Sequence, residues 1–277
     1  MSIIEIKTDA LQNVFGTLMD AIGISSIAIR KRAIAEIRAK IEAEKLKQEY
    51  EIQASKNSVS ERFVCYSGNE ITPEMITSAI EIDNNVYSPE YRGNADICIK
   101  WYNQNPDIYL MVYDNINKKI VGYINAMPIS ETIYRQLKNG DMIDVNIDPE
   151  DILTYHCPDC YYLYISSVAV LPEYRSLHVL YILLNAFFDK IIYLSNYEIF
   201  FKEVIADAVS LEGKKLCEYI GMKSIRSSSH NSTIYSVSLL PPKLRIMTNI
   251  GIKFMNVYKA KYDMFEAILN QLDYEKI

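Results

Sequence analysis

Residues 161–184, YYLYISSVAVLPEYRSLHVLYILL, decide how this chain is read. Tyr161–Val170 is rich in aromatic and β-branched residues and reads as a strand. Strand periodicity gives way to helical periodicity across Leu171–Arg175, and an apolar helix follows. A strand that feeds a helix N-terminus gathers free backbone N–H groups and a positive dipole end at one point, which suits a phosphate or pyrophosphate. Arg175, just ahead of the helix, adds a cation with a bidentate fork. The plainer reading is an ordinary strand-to-helix connection with an exposed arginine.

Outward from that segment, Phe200–Val209 is a second strand candidate, followed by the helical stretch SLEGKKLCEYIGM. Upstream, Ile108–Tyr113, a polar Asp114–Lys119 turn and Ile120–Ile129 read as a hairpin. Phe63–Ser67 is the first strand, and Thr72-Pro73-Glu74 starts a helix that runs to about Asn84: a cap, a proline at the first helical position, then an acid. A second helix covers about Ala95–Gln104.

Val170-Leu171-Pro172-Glu173-Tyr174-Arg175 resembles the core motif of the GNAT superfamily of acyl-CoA N-acyltransferases, in which a strand ends in V-x-P-x-x-R and R/Q-x-x-G-x-G/A opens a helix. His178 and Leu180 stand where that family usually has glycines. Leu216, Gly221 and Met222 also match the family's later pattern, with Ser210 in its asparagine place and Cys217 in the place of a tyrosine. The resemblance covers about Arg62 to Leu239. It implies a single α/β domain with a mixed, mostly antiparallel sheet flanked by helices, and acyl transfer from acetyl-CoA as co-substrate to an amine of a small molecule or protein.

The resemblance also implies roles. Backbone groups around Val168, Ala169 and Val170 would pair with pantetheine. Arg175, Ser176, Leu177, His178, Val179 and Leu180, with Ser210, would line the cofactor loop. Cys217 or Tyr219 would protonate the departing thiolate. The base position on the motif strand holds Tyr164, a weak base at neutral pH, with a water relay to Asp159 or Glu81 as an alternative. Glu81, Asp83, Tyr87 and Trp101 would contact the amine. A competing class is a GNAT-fold binding or regulatory protein without catalysis.

Composition agrees with an enzyme-like body. Apolar residues make up 49% of the 277 residues, enough for a sizeable core, and the net charge of −6 argues against a nucleic-acid backbone as partner. The start, MSIIEIKTDA, lacks a secretory pattern, and five cysteines in a chain of this length fit a reducing cytoplasm. Ala10–Ile29 approaches membrane-spanning length but contains Gln12, Asn13 and Asp20, so no membrane partner is expected. His156-Cys157-Pro158-Asp159-Cys160 holds half of a zinc pattern without a second pair, so no metal is expected and the thiols are read as buried at a strand entrance.

Two further segments carry expectations. Ser130–Thr154, with a helical piece near Glu131–Lys138 and acids at Asp141, Asp144, Asp148, Glu150 and Asp151, lies where compact family members have a short turn. It reads either as a surface excursion or as a lid favouring a cationic group. Residues 1–60 read as a helical extension with an amphipathic stretch at Ile29–Ile52, residues 61–240 as the domain, and residues 241–277 as a C-terminal helix around Thr248–Leu272. Apolar stripes at both ends are expected to bury themselves in a homodimer.

Overall fold

The computed structural model describes residues 62–157, 159–228, 231–241 and 243–274. The N-terminal extension with its Ile29–Ile52 stretch, and the Ala10–Ile29 segment, lie outside them. Seven strands form one sheet in the order β1-β2-β3-β4-β5-β7-β6. They are β1 (Phe63–Ser67), β2 (Tyr109–Asp114), β3 (Lys119–Ile129), β4 (Asp159–Val170), β5 (Ile199–Ala208), β6 (Lys223–Ser227) and β7 (Thr233–Ser238). The helices are α1 (Pro73–Val86), α2 (Ala95–Gln104), α3 (Glu131–Asn139), α4 (Val179–Ser195), α5 (Leu211–Tyr219) and α6 (Asn249–Tyr274). Only β4 and β5 pair in parallel; every other pairing is antiparallel. This is the GNAT-like mixed sheet.

Alternation along the central strands assigns the two faces. Tyr109, Tyr123 and Asn125 face α1 and α2, whereas Leu110, Ile124 and Leu163 face Phe187 and Ile191 of α4. Ile120–Ile129 is buried throughout because both faces are covered, which is why β3 reads as a near-continuous apolar run. The Asp114 carboxylate organises the β2–β3 turn: it accepts from Arg62 Nη2 at 2.8 Å, the Ile116 amide at 2.9 Å and Asn117 Nδ2 at 2.8 Å. The Arg62 guanidinium holds that carboxyl well below the usual range. Asn117 also donates to the Tyr174 hydroxyl at 2.7 Å, tying the hairpin turn to the motif loop.

α6 packs both on α4 and directly on β5. Phe188 meets Phe254 at 4.9 Å, Phe200 meets Phe265 at 4.6 Å, and the Phe201 amide donates to the Tyr258 hydroxyl at 2.9 Å. The C-terminal helix is therefore part of the core and no appendage. On this helix Ile250, Phe254 and Phe265 are buried within the chain, and Val257 is exposed.

The Ser130–Thr154 excursion is anchored along its length. Ile129 and Ile152 form an isolated antiparallel bridge, and the Leu153 amide donates to Pro128 O at 2.9 Å. From α2, Trp101 Nε1 donates to Ile147 O at 2.9 Å and Asn105 Nδ2 to Leu153 O at 2.7 Å. Pro128 is tolerated in β3 because pairing with β2 ends at Asn125, so no amide is required on that side. A free-standing lid is thus replaced by a stapled loop that presents Ile143–Val145 to the sheet's α1 face.

A hairpin completes the sheet, with β7 inserted between β5 and β6. Its outer strand is short, exposed and polar, and therefore silent in hydropathy. The thiols of the H-C-P-D-C run also differ from expectation, since Cys157 is exposed and Cys160 half-buried. Among the described residues no group of three or more His, Cys, Asp or Glu is placed to hold a metal ion. No described helix is long and apolar enough to cross a membrane.

Gly221, in the family-like pattern, ends α5 with φ +85°, and a Cβ there would lie 2.8 Å from Arg245 O. Gly221→Ala is expected to destabilise by about 2 kcal/mol or more, from left-handed strain plus the backbone clash. Urea unfolding measures this; a midpoint within error of the parent would show that the turn relaxes freely.

Candidate active-site cleft

The site begins with a break in pairing. β4 and β5 pair from Asp159 with Ile199 to Ile165 with Ala206, with a one-residue shift between Tyr161–Phe201 and Tyr162–Glu203, and no further. β4 continues to Val170, so Ser166–Val170 have β3 on one side and no strand on the other. A bulge in β4 at Ser166, between the pairs Asn125–Ser167 and Ala126–Ile165, bends the strand at the fork. A cleft of about 750 Å³ fills the opening.

One arm of the cleft carries positive potential. Arg175 and Leu180 line it, and the N-terminus of α4 begins beside them at Val179. Arg175 lies in a 3₁₀ turn over Pro172–Leu177 rather than directly ahead of the helix, and its Nε donates to Val170 O at 3.4 Å. His178 holds φ +62°, so the loop keeps the left-handed backbone a glycine would adopt freely, at a cost of about 1–2 kcal/mol. Val179 is fully buried and packs near Gly122, and Ala169 is also buried. Neither these two nor Ser176, Leu177 and His178 line the cleft, whereas Val168, Val170, Arg175, Leu180 and Ser210 do. The Ser210 hydroxyl caps α5 by accepting from the Gly213 amide at 3.0 Å.

The other arm is acidic. Asp83 of α1 accepts from the Tyr123 hydroxyl at 2.7 Å and from the Gly93 amide at 3.0 Å. Asp144, delivered by the anchored loop, accepts from the Ser166 hydroxyl at 2.8 Å. Asp207 follows Ala206 on β5 and also lines the cleft. Burial raises the carboxyl pKa of both Asp83 and Asp144, and each is raised further by a neighbouring carboxylate: Asp144 for Asp83, Asp207 for Asp144. Tyr87 bridges the two arms: its hydroxyl donates to Val168 O at 2.9 Å and lies 3.1 Å from Ser167 Oγ, while burial pushes the phenol up to about 12.

The residues named as acid and base fare differently. Tyr219 is exposed and does not line the cleft. Tyr164 lines it, but burial first, then Asp144 and Asp207, raise its phenol far above the ordinary value, so it is no base. Cys217 lines it as well, yet burial, Glu218 and Asp207 push its thiol up to about 12. A departing thiolate of ordinary pKa, about 8.5, would be a weaker base than the one left on Cys217, so the transfer runs uphill. Glu81 is exposed on the far side of α1, and Asp159 opens β4 outside the cleft, so neither serves a relay. Asp83, Tyr87 and Trp101 do line the cleft, although the Trp101 indole N–H is already used by the anchored loop.

Three lining residues escape motif reading. In the sequence Asp144 is one acid in a run, and Asp207 lies inside a strand with no motif around it. Asn125, in the middle of β3, is 2% exposed, and neither its amide oxygen nor its nitrogen has a hydrogen-bond partner.

No family model matches the chain, and no curated protein matches it. Among solved structures it is similar to the loading GNATL domain of CurA from Lyngbya majuscula, at 14% identity over 64% of this chain and 97% of that one, with TM-score 0.47. It is similar to Ard1 from Thermoplasma volcanium at 12% identity, over 63% of this chain and 95% of that one, with TM-score 0.42. It is also similar to Arabidopsis thaliana Naa50, solved with the bisubstrate analogue CoA-Ac-MVNAL, at 14% identity over 64% of this chain and 99% of that one, with TM-score 0.42. The roles of the site residues rest on the geometry above.

A carboxyl whose folded pKa is raised stabilises the native state below its unfolded pKa, about 3.9, and that contribution is lost as pH rises through the folded value. Asp144→Asn keeps an acceptor for Ser166 and removes the ionisation. It is expected to raise the melting temperature at pH 8, by about 2–4 °C for each kcal/mol relieved, and to leave it unchanged near pH 3. A fall at pH 8, or an equal rise at both pH values, would show that Asp144 is not the strained carboxylate.

Proposed function

We propose that the protein transfers an acyl group from acyl-CoA, acetyl-CoA in the simplest case, to an amine of a small molecule or protein. The observation that carries this reading is the fork between β4 and β5, with a cationic helix terminus on one arm and buried carboxylates on the other. The unpaired side of Ser166–Val170 would hold the pantetheine chain through backbone groups, and Arg175 with the α4 N-terminus would face the pyrophosphate. When bound, acyl-CoA supplies the activated thioester.

The chain's own residues would do the rest. Asp83, Asp144 and Asp207 favour entry of a cationic ammonium. Asp144, whose proton affinity is raised first by burial and then by Asp207, would take the ammonium proton, and the Ser166 hydroxyl orients its carboxyl at the edge of the fork. Tyr87 must release Val168 O if that carbonyl is to meet pantetheine. The Tyr87–Val168 bond and the bulk of Leu180 support a second reading, a GNAT-fold binding protein that does not turn over.

Thermal-shift titration with acetyl-CoA tests the first step, because a ligand of the native state must raise the melting temperature. Arg175→Ala is expected to weaken acetyl-CoA binding by about 1.5–3 kcal/mol, roughly ten- to hundred-fold. Asp144→Asn should lower turnover by about 10²–10⁴ with acetyl-CoA affinity unchanged. Free-thiol release across an amine panel reads turnover. Binding without any release would select the second reading, and no thermal shift with intact protein would remove both.

A further inference from the structure

The carboxamide of Asn125 is the least explained polar group in the cleft. Both of its polar atoms are buried and without partners, although the side chain can donate two hydrogen bonds and accept two. Buried polar groups are nearly always satisfied, so an orphaned amide on a cleft wall marks a place where something else completes the set. Its position is specific. Asn125 stands opposite Ser167 on β4 and opposite Tyr109 on β2, one strand in from the fork, on the face covered by α1 and α2. The neighbouring groups are already engaged: Tyr123 donates to Asp83, and Ser167 lies between the hydroxyls of Tyr87 and Tyr123 at 3.1 and 3.0 Å. None of those bonds reaches the amide; the Tyr109 phenol opposite interacts with the Asn125 side chain, short of a well-formed hydrogen bond.

The walls around it are apolar and aromatic. Ile80, Ile97, Trp101 and Tyr109 line the same cleft as Asn125, together with the acids Asp83 and Asp144. An occupant that satisfies every group would place a cation among the carboxylates, an apolar body along the aromatic wall, and a hydrogen-bonding tail on Asn125.

We propose that the acceptor arm binds a compact primary amine with an apolar, preferably aromatic, body and a terminal hydroxyl or carboxamide, and that Asn125 is the residue that selects the tail. This rests on reading the cleft as an acyl-acceptor site and adds the class of acceptor to it. The depth of Asn125, 2% exposed, favours a small molecule whose tail is fully enclosed over a folded protein surface. A hydroxyl both donates and accepts, so it meets the amide oxygen and nitrogen together. An amine lacking the tail would leave the hydrogen-bonding capacity of the amide unfilled, so discrimination comes from the completed pair.

The matched probes are 4-hydroxyphenethylamine and phenethylamine, titrated calorimetrically into the full chain without acyl-CoA. Because no acyl donor is present, the result stands whether or not the protein proves to be an acyltransferase, and a failure of acyl transfer in the separate thiol-release assay does not touch it. The wild type is expected to bind the hydroxylated amine at least tenfold more tightly. In Asn125→Leu that ratio should fall to about one, with phenethylamine affinity retained. Asn125→Ser, smaller and still polar, guards against misfolding of the leucine variant and should also reduce the ratio. Melting curves establish that each variant is folded. Equal affinities in the wild type, absence of binding by either amine, or a ratio that persists in both folded variants would overturn the proposal. A leucine variant that melts higher with the ratio intact would likewise overturn it, since a trapped water would then be the partner of the amide.

Discussion

Two parallel strands that start in register and then part impose the constraint on which this molecule depends. Up to Ile165 and Ala206 the backbone of β4 is paired on both sides; beyond them one side has no strand. Backbone N–H and C=O groups left inside a protein without partners are costly, so the edge must meet solvent, side chains or a ligand. Here it meets all the elements of the site. Tyr87 reaches across from the α1–α2 connection to Val168 O, Arg175 returns to Val170 O, and Ser166, displaced by the bulge, carries the bond to Asp144. The rest of the fold serves to hold the fork open. β3 supplies a doubly covered strand that pairs with β4 on both sides of its bulge, and α4, packed on the sheet and against α6, fixes where the helix N-terminus points.

Charge divides the cleft in the same way that hydrogen bonding does. Arg175 and the α4 dipole lie at the end of β4, while Asp83, Asp144 and Asp207 come from a helix, a loop and the neighbouring strand. Carboxyls drawn together under burial become harder to ionise, and that places their proton affinity nearer the range in which an ammonium can lose a proton. The same burial acts against the cysteine and the tyrosine of the motif positions. Cys217 and Tyr164 are held in their neutral forms, one too weak an acid for a departing thiolate and the other no base at all.

Much of the framework could be read along the chain. The strand bounds of β1, the start of α1 at Thr72 and Pro73, the whole of α2, and the β2–β3 hairpin follow from caps, alternation and turn chemistry, which are local properties. The outermost strand is silent in the sequence because an exposed polar strand has no hydropathy signature, and the C-terminal stripe shows that a face is buried without showing what buries it. The insertion at Ser130–Thr154 was legible as long and acidic. Its function as an anchored arm was not, since the staples come from Trp101 and Asn105, some 46 and 48 residues away.

The sequence by itself determined the elements, their order, the anion-suited turn at the end of β4 and the presence of a surplus of acids, because each of these depends on residues close together in the chain. The tertiary structure alone decided which acids face the fork, that Glu81, Asp159 and Tyr219 do not, and that Asn125 stands there without a partner. It also decided the protonation state of the groups that remain. Those outcomes depend on which side of a helix or strand meets which neighbour and on how much water is excluded when it does, and both are set by packing between segments that the chain keeps far apart.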